Sequence, residues 1–405
     1  MRGWVYRLTA GIVLMHLCGC GGSSSSAPAG VPQAALATIL QPTAANLYPA
    51  TSSSDGNRLF IKVTAVGKTA VSMPLAFDTG SAGITLYAPD IFPSNLVGTG
   101  GFTFASGQTS ISYNGITVTN QSGTRKYGSA ANGKTQTGNI GYAQVTFGDG
   151  GGEFVTAVMP VFLYYLITDN STGQPVPVPH QRGWFGVNGA PNLITVPGST
   201  EPAAGYPACT LAISGSCYVV SILKYLSYAS GVNAGFMVSP SPLQSCEIAT
   251  SGSCVPSQTL TIGLDDSVET GFSQAKSSCP PANYSGPGNI DGYAVCQMTI
   301  PDTMVTVSGT ASGVLAGTVL FDSGTPSMVL NIPAGTAFPS TVPSGSSVMV
   351  ETPSGFTFSY TAGAGTEVTN TIVQPNSAAA SIIGIGYFTT NSFFIDFASS
   401  TVGWK

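Results

Sequence analysis

Two copies of one short pattern constrain this chain more than anything else in it. Leu75-Ala76-Phe77-Asp78-Thr79-Gly80-Ser81 is answered far downstream by Val319-Leu320-Phe321-Asp322-Ser323-Gly324-Thr325. Each copy runs three apolar residues into an aspartate, a hydroxyl residue, a glycine and a second hydroxyl residue. An apolar run that empties into polar residues and glycine reads as a buried strand ending in a tight turn. The glycine lets the backbone fold back closely, and the flanking hydroxyls can donate hydrogen bonds to the carboxylate. Two such turns facing each other put Asp78 and Asp322 side by side.

Paired carboxylates have a specific chemistry. Like charges a few ångströms apart do not both ionise readily, so the pair shares one proton over a wide acidic range. The ionised member can take a proton from water while the protonated member polarises a carbonyl. That is general acid/base chemistry for amide hydrolysis without a covalent intermediate. One copy alone reads as an ordinary turn; two in the same apolar frame do not.

Residues 75–86 and 319–330 both fit the active-site pattern of pepsin-like aspartic proteases, and the chain resembles that family over most of 59–405. The resemblance implies an all-β, bilobal fold, two related barrel-like lobes with the active site in the cleft between them. Residues 46–200 would form the first lobe and 201–405 the second. It also implies that Asp78 and Asp322 activate the water. Thr79 and Ser323 would tie the loops together, Ser81 and Thr325 would bond the outer carboxylate oxygens, and Gly80 and Gly324 would keep the carboxylates coplanar. The expected partner is an extended peptide or unfolded protein with apolar residues around the cut, handled by a monomer that needs neither cofactor nor metal.

The resemblance has departures. The family usually carries a tryptophan after the first Asp turn that supports a hairpin flap; here Thr85 stands seven residues past Asp78, with Tyr87 nearby. The flap tyrosine is expected at Tyr127, followed by Gly128, with Tyr113 as a rival. Trp184-Phe185-Gly186 and Ile382-Ile383-Gly384 match the apolar-apolar-Gly elements that thread beneath the two Asp loops, where glycine allows close backbone approach. Between them, residues 219–228 have apolar positions three and four apart and predict a helix. Asp265 and Asp266, sequence neighbours that diverge on a strand, read as a turn. Residues 393–397 and 401–404 match the family's closing strand pair. Residues 164–166 have no assignment, and 175–179 read only as an extended loop.

Composition fits an exported, turn-rich β protein. Only 7% of residues are charged, with Gly 51 and Pro 28, and the net charge of −5 gives no reason to expect nucleic acid as a partner. Arg2 and Arg7 precede a short apolar core ending Leu17-Cys18-Gly19-Cys20, which resembles a bacterial lipoprotein signal with Cys20 as the lipidated residue. Residues 1–20 are thus expected to be a targeting segment and 21–45 a Gly/Ser/Ala/Pro tether. The expected location is the bacterial envelope, the outer membrane before the inner because Gly21 follows Cys20, with lipid as the sole membrane contact. No Lys or Arg lies between Cys20 and Asn57, which argues against an electrostatically latched propiece.

Six further cysteines, Cys209, Cys217, Cys246, Cys254, Cys279 and Cys296, read as disulfides in an exported chain. Sequence alone allows fifteen pairings; the sequential one closes short loops and is the one expected. Metal binding fits poorly, since no C-x-x-C pair exists and His180 is the sole histidine outside the signal. Two other functional classes compete with a peptidase. A catalytically silent peptide- or inhibitor-binding lipoprotein would explain the altered flap support, and a disulfide-held surface protein would explain the cysteines but not the duplicated turns.

Overall fold

The structure, a computed structural model, describes residues 35–52, 56–128, 133–149, 153–179, 181–189, 192–195, 216–248, 254–279, 289–290, 293–294, 298–333, 335, 338–363, 369–375 and 379–405. Its regular secondary structure is almost wholly strand, and its two Asp turns are constructed alike. Thr69–Asp78 pairs antiparallel with Gly56–Val66 and parallel with Gly183–Val187. Gly183–Val187 also pairs antiparallel with Ala82–Tyr87, so it lies between the two arms of the first Asp loop. In the second half Gly313–Phe321 runs parallel to Ser381–Ile383, which meets Met328–Ile332 on its other side. The duplication in the sequence is therefore a duplication of architecture.

Alternation explains how the first Asp strand is seated. Met73, Leu75 and Phe77 enter the main core, while Ala76 faces the other way into a second cluster with Tyr48, Phe60 and Trp184. Successive side chains on a strand point to opposite faces. Asp78 therefore emerges on the Ala76 side, with Phe77 fixed beneath it. Phe77 packs at 6.2 Å from Phe185 and 5.8 Å from Phe236, between ring centroids. Phe321, before Asp322, is held by Phe393 at 5.3 Å and Trp404 at 5.6 Å. Each aspartate thus stands on a buried aromatic that cannot shift without disturbing a core.

Joining the halves is a sheet made from both ends of the chain. Thr43–Ser52 pairs with Gly56–Val66 by one half and with Ser257–Leu264 by the other. Beyond it come Asn233–Val238, Phe393–Asp396, Thr401–Trp404 and Ser273–Lys276 in successive pairings. The second lobe proper is a seven-stranded sheet holding Ile300–Ser308, Gly313–Phe321, Met328–Ile332 and Ser381–Ile383. The N-terminal strand Thr43–Ser52 is part of the joining sheet.

Two expectations need correction. The tether expected over 21–45 contains strands: Thr38–Ile39 pairs with Ser227–Tyr228, and Thr43–Ser52 begins within it. Ala45 and Leu47 are fully buried there, so two apolar side chains at spacing two anchor a segment whose composition reads as flexible. The helix expected over 219–228 is instead the end of Ser216–Val219, one 3-10 turn at Ile222–Tyr225, and Ser227–Tyr228. Val219, Ile222, Leu223 and Leu226 are buried as the pattern demands, but tertiary packing satisfies them without a continuous helix. Asp265 and Asp266 do form a turn: Asp265 caps the short helix Asp266–Glu269.

Cys246 and Cys254 are bonded as expected, with Cα atoms 5.3 Å apart. Cys279 is also disulfide-bonded. Cys209, Cys296 and the side chain of Cys217 lie outside the described residues, as do Cys20 and the whole of 1–34.

Candidate active site

The two Asp turns meet. Thr79 N donates to Ser323 Oγ at 3.1 Å, and Ser323 N donates to Thr79 Oγ1 at 2.9 Å. Each hydroxyl then donates onward: Thr79 Oγ1 to the Phe321 carbonyl and Ser323 Oγ to the Phe77 carbonyl, both at 2.8 Å. Both side chains are fully buried. Four hydrogen bonds related by approximate twofold symmetry thus lock the loops at one fixed separation.

Above this lock stand the carboxylates. Gly80 N and Ser81 N donate to Asp78 Oδ1 at 2.8 and 3.1 Å, and Ser81 Oγ donates to Oδ2. Gly324 N donates to Asp322 Oδ1 at 2.7 Å, and Thr325 Oγ1 to Oδ2 at 2.6 Å. Asp78 is 6% exposed and Asp322 9%. Burial, then the Asp78 charge and a hydrogen bond with its carboxyl, raise Asp322 well above the usual carboxylate range; Thr325 and Gly324 pull the other way. The pair accordingly keeps a shared proton.

The glycines are required by the other loop rather than by their own. A Cβ on Gly80 would lie 2.5 Å from Asp322 Oδ1, and one on Gly324 would lie 2.6 Å from Asp78 Oδ1. Gly186 and Gly384 serve the threading strands: a Cβ would fall 2.6 Å from the Ala82 carbonyl carbon in one case and 2.7 Å from the Thr325 carbonyl oxygen in the other.

Sequence reasoning missed Asn188. Fully buried, it donates from Nδ2 to the Thr79 carbonyl at 2.5 Å and accepts from Met298 N at 3.0 Å. It bridges the first Asp loop to the second half, and its position two residues past Gly186 was the available signal. The second threading element has no matching residue; Gly386 stands there.

Tyr127 ends the strand Ile116–Tyr127, whose hairpin partner is Lys134–Ala143. Gly128 follows with φ +79°, a conformation that favours glycine at the start of a reversal. Tyr113 lies at the opposite end of Ile116–Tyr127, beside the Asn114-Gly115 turn, with its ring 5.4 Å from Phe92. Tyr127 instead meets Trp184, with ring centroids 5.5 Å apart. Trp184 is the register partner of Thr85, and its backbone N–H donates to Thr85 Oγ1 at 3.0 Å. The indole absent at position 85 is thus present on the same sheet face, one strand over. Burial pushes the Tyr127 phenol up to about 12, against the pull of Arg125.

Neither a family profile nor a curated protein matches this sequence. Solved structures do resemble it. The aspartic proteinase from Irpex lacteus is 15% identical with a TM-score of 0.49, over 89% of this chain and 97% of that one. Basic 7S globulin from soybean is 11% identical with a TM-score of 0.51, over 91% and 96%. At such identities the likeness is one of fold. The chain shares its nearly all-β fold with basic 7S globulin, and its two reciprocal Asp turns are those that the resemblance to pepsin-like proteases implies.

Proposed function

We propose that this chain is an aspartic endopeptidase, in which Asp78 and Asp322 activate a water against a peptide carbonyl. The observation that carries the reading is the intact dyad: both carboxylates, their four hydroxyl partners and both crowded glycines stand in reciprocal positions. The ionised carboxylate takes a proton from water as the oxygen attacks. The protonated one hydrogen-bonds the carbonyl oxygen and stabilises its developing charge. The tetrahedral intermediate collapses as the leaving nitrogen is protonated, and the roles of acid and base belong to the pair. Tyr127 and Gly128, at the end of their hairpin, are the flap that lies over the peptide. The protein works in the bacterial envelope, held by lipid on Cys20, and cuts unfolded or extended chains with apolar residues around the bond.

The fold by itself does not decide between cutting and gripping, since a protein named a globulin shares it. The deciding experiment incubates protein beginning near residue 35, disulfides formed, with a denatured protein at roughly pH 3 to 5, with and without a statine-type transition-state mimic. Cleavage blocked by the mimic supports the endopeptidase. Tight binding of the mimic without any cleavage replaces it with a silent peptide-binding lipoprotein.

A further inference from the structure

The hairpin that ends at Tyr127 carries a group that dyad chemistry does not use. Arg125 is 4% exposed, yet its Nε and Nη1 have no hydrogen-bond partner among the described residues. Gln136 stands opposite it in register and is 1% exposed, with Oε1 equally unpartnered. Trp184 Nε1 is a third orphan, its ring centroid 5.7 Å from the Arg125 guanidinium carbon. Tyr127, two residues along and on the same strand face, has its ring 5.9 Å from that carbon.

Burial disfavours the guanidinium charge, while the Asp78 carboxylate, ahead of Tyr127 and Tyr164, favours it. Arginine stays protonated in proteins. A permanent cation therefore lies buried within electrostatic reach of the dyad, with no carboxylate among the described residues hydrogen-bonded to it. Such a charge is costly to keep, and buried polar groups in native proteins are almost always partnered. The open donors, two N–H groups of a planar guanidinium and an indole N–H, match a carboxylate, which offers only acceptors. An amine would be repelled, and an uncharged side chain would leave the charge unpaired. Negative charge on the dyad would otherwise turn an acidic residue away, and a fixed cation reverses that.

We propose that Arg125 is a specificity residue that binds an acidic side chain, Asp or Glu, of the peptide lying across the dyad. The inference rests on the endopeptidase reading and adds the substrate class to it. The carboxylate accepts from Nε and Nη1, and Trp184 supplies a third donor. The half-buried Tyr127 ring moves aside to admit it.

The test uses matched peptides that differ only as Glu or Gln at each position around the cut. They are assayed at about pH 5, above the ordinary glutamate value of ~4.3. The parent should prefer Glu at one position by about ten- to a hundredfold in kcat/KM. In Arg125→Met the ratio should fall to about one; in Arg125→Lys, which keeps the cation, part of it should remain. Equal cleavage of Glu and Gln peptides by the parent at every position overturns the proposal, as does a preference that survives in Arg125→Met. Circular dichroism monitors folding, and if Arg125→Met unfolds, the parent's ratios and Arg125→Lys decide. A parent that cleaves nothing fails the endopeptidase reading instead. In that case the same Glu and Gln peptides, titrated into the parent by isothermal calorimetry, test the site alone. Tighter binding of the Glu peptide keeps it, and equal binding removes it.

Discussion

Thr79 and Ser323 hold each other's backbone: each hydroxyl accepts the other's N–H and donates to the carbonyl just before the other's aspartate. Neither loop has its hydrogen bonds complete without its counterpart. The dyad separation is thus set by buried hydroxyls and not by the carboxylates, which would drive each other apart when both are charged.

Removing one hydroxyl strands two buried groups on the opposite loop. Thr79→Val keeps the shape but leaves Ser323 N and the Phe321 carbonyl unpartnered. We expect a loss of about 2–4 kcal/mol in stability, read by urea unfolding, with cleavage falling at least about tenfold as the carboxylates drift. Ser323→Ala should match it. A variant as stable as the parent would mean that the lock is not what spaces the loops.

Gly80→Ala and Gly324→Ala each drive a methyl group into the opposite carboxylate. The expected outcome is a folded protein whose cleavage of an unfolded substrate falls by at least about a hundredfold, a few kcal/mol of transition-state stabilisation. Circular dichroism and kcat/KM together check it. Full activity in either variant would show that the opposite carboxylate does not crowd the glycine.

Protonation gives a stability prediction with a definite sign. Asp322 is raised to about 8 in the folded state, against ~3.9 in an unfolded chain. Between those values the folded state binds more protons than the unfolded, so this group lowers stability as pH rises from about 4 to about 8. Asp322→Asn removes the term. Its melting temperature relative to the parent should therefore rise by roughly 3 °C or more between pH 4 and pH 8. A difference that stays flat with pH would mean the carboxyl keeps an ordinary affinity for its proton.

Much of this was legible because the chemistry is local. Asp78 to Ser81 and Asp322 to Thr325 state their hydrogen-bond donors within four residues, and the apolar triplets before them state their strands. Phe393–Asp396 and Thr401–Trp404 were readable through the resemblance, as its closing strand pair. Long-range pairings were not. Nothing near Thr38 announces its pairing with Ser227, and the three-and-four spacing over 219–228 marks burial without specifying helix. Trp184 was read as part of a threading element, because only the register against Thr85 brings its indole to the flap hairpin. Nothing in the sequence around Arg125 marks it as buried; its burial follows from the packing of Trp184 and Tyr127 against it.

In the proposed reaction two carboxylates, acting together, cut peptide bonds. The most direct measurement compares cleavage of one unfolded protein at roughly pH 3 to 5 by the parent, Asp78→Asn and Asp322→Asn, each checked for folding. Cleavage by the parent is expected, with a loss of at least about a thousandfold in both variants, since neither carboxylate works without the other. Activity that survives in either variant would contradict it, and would place the chemistry somewhere other than between Asp78 and Asp322.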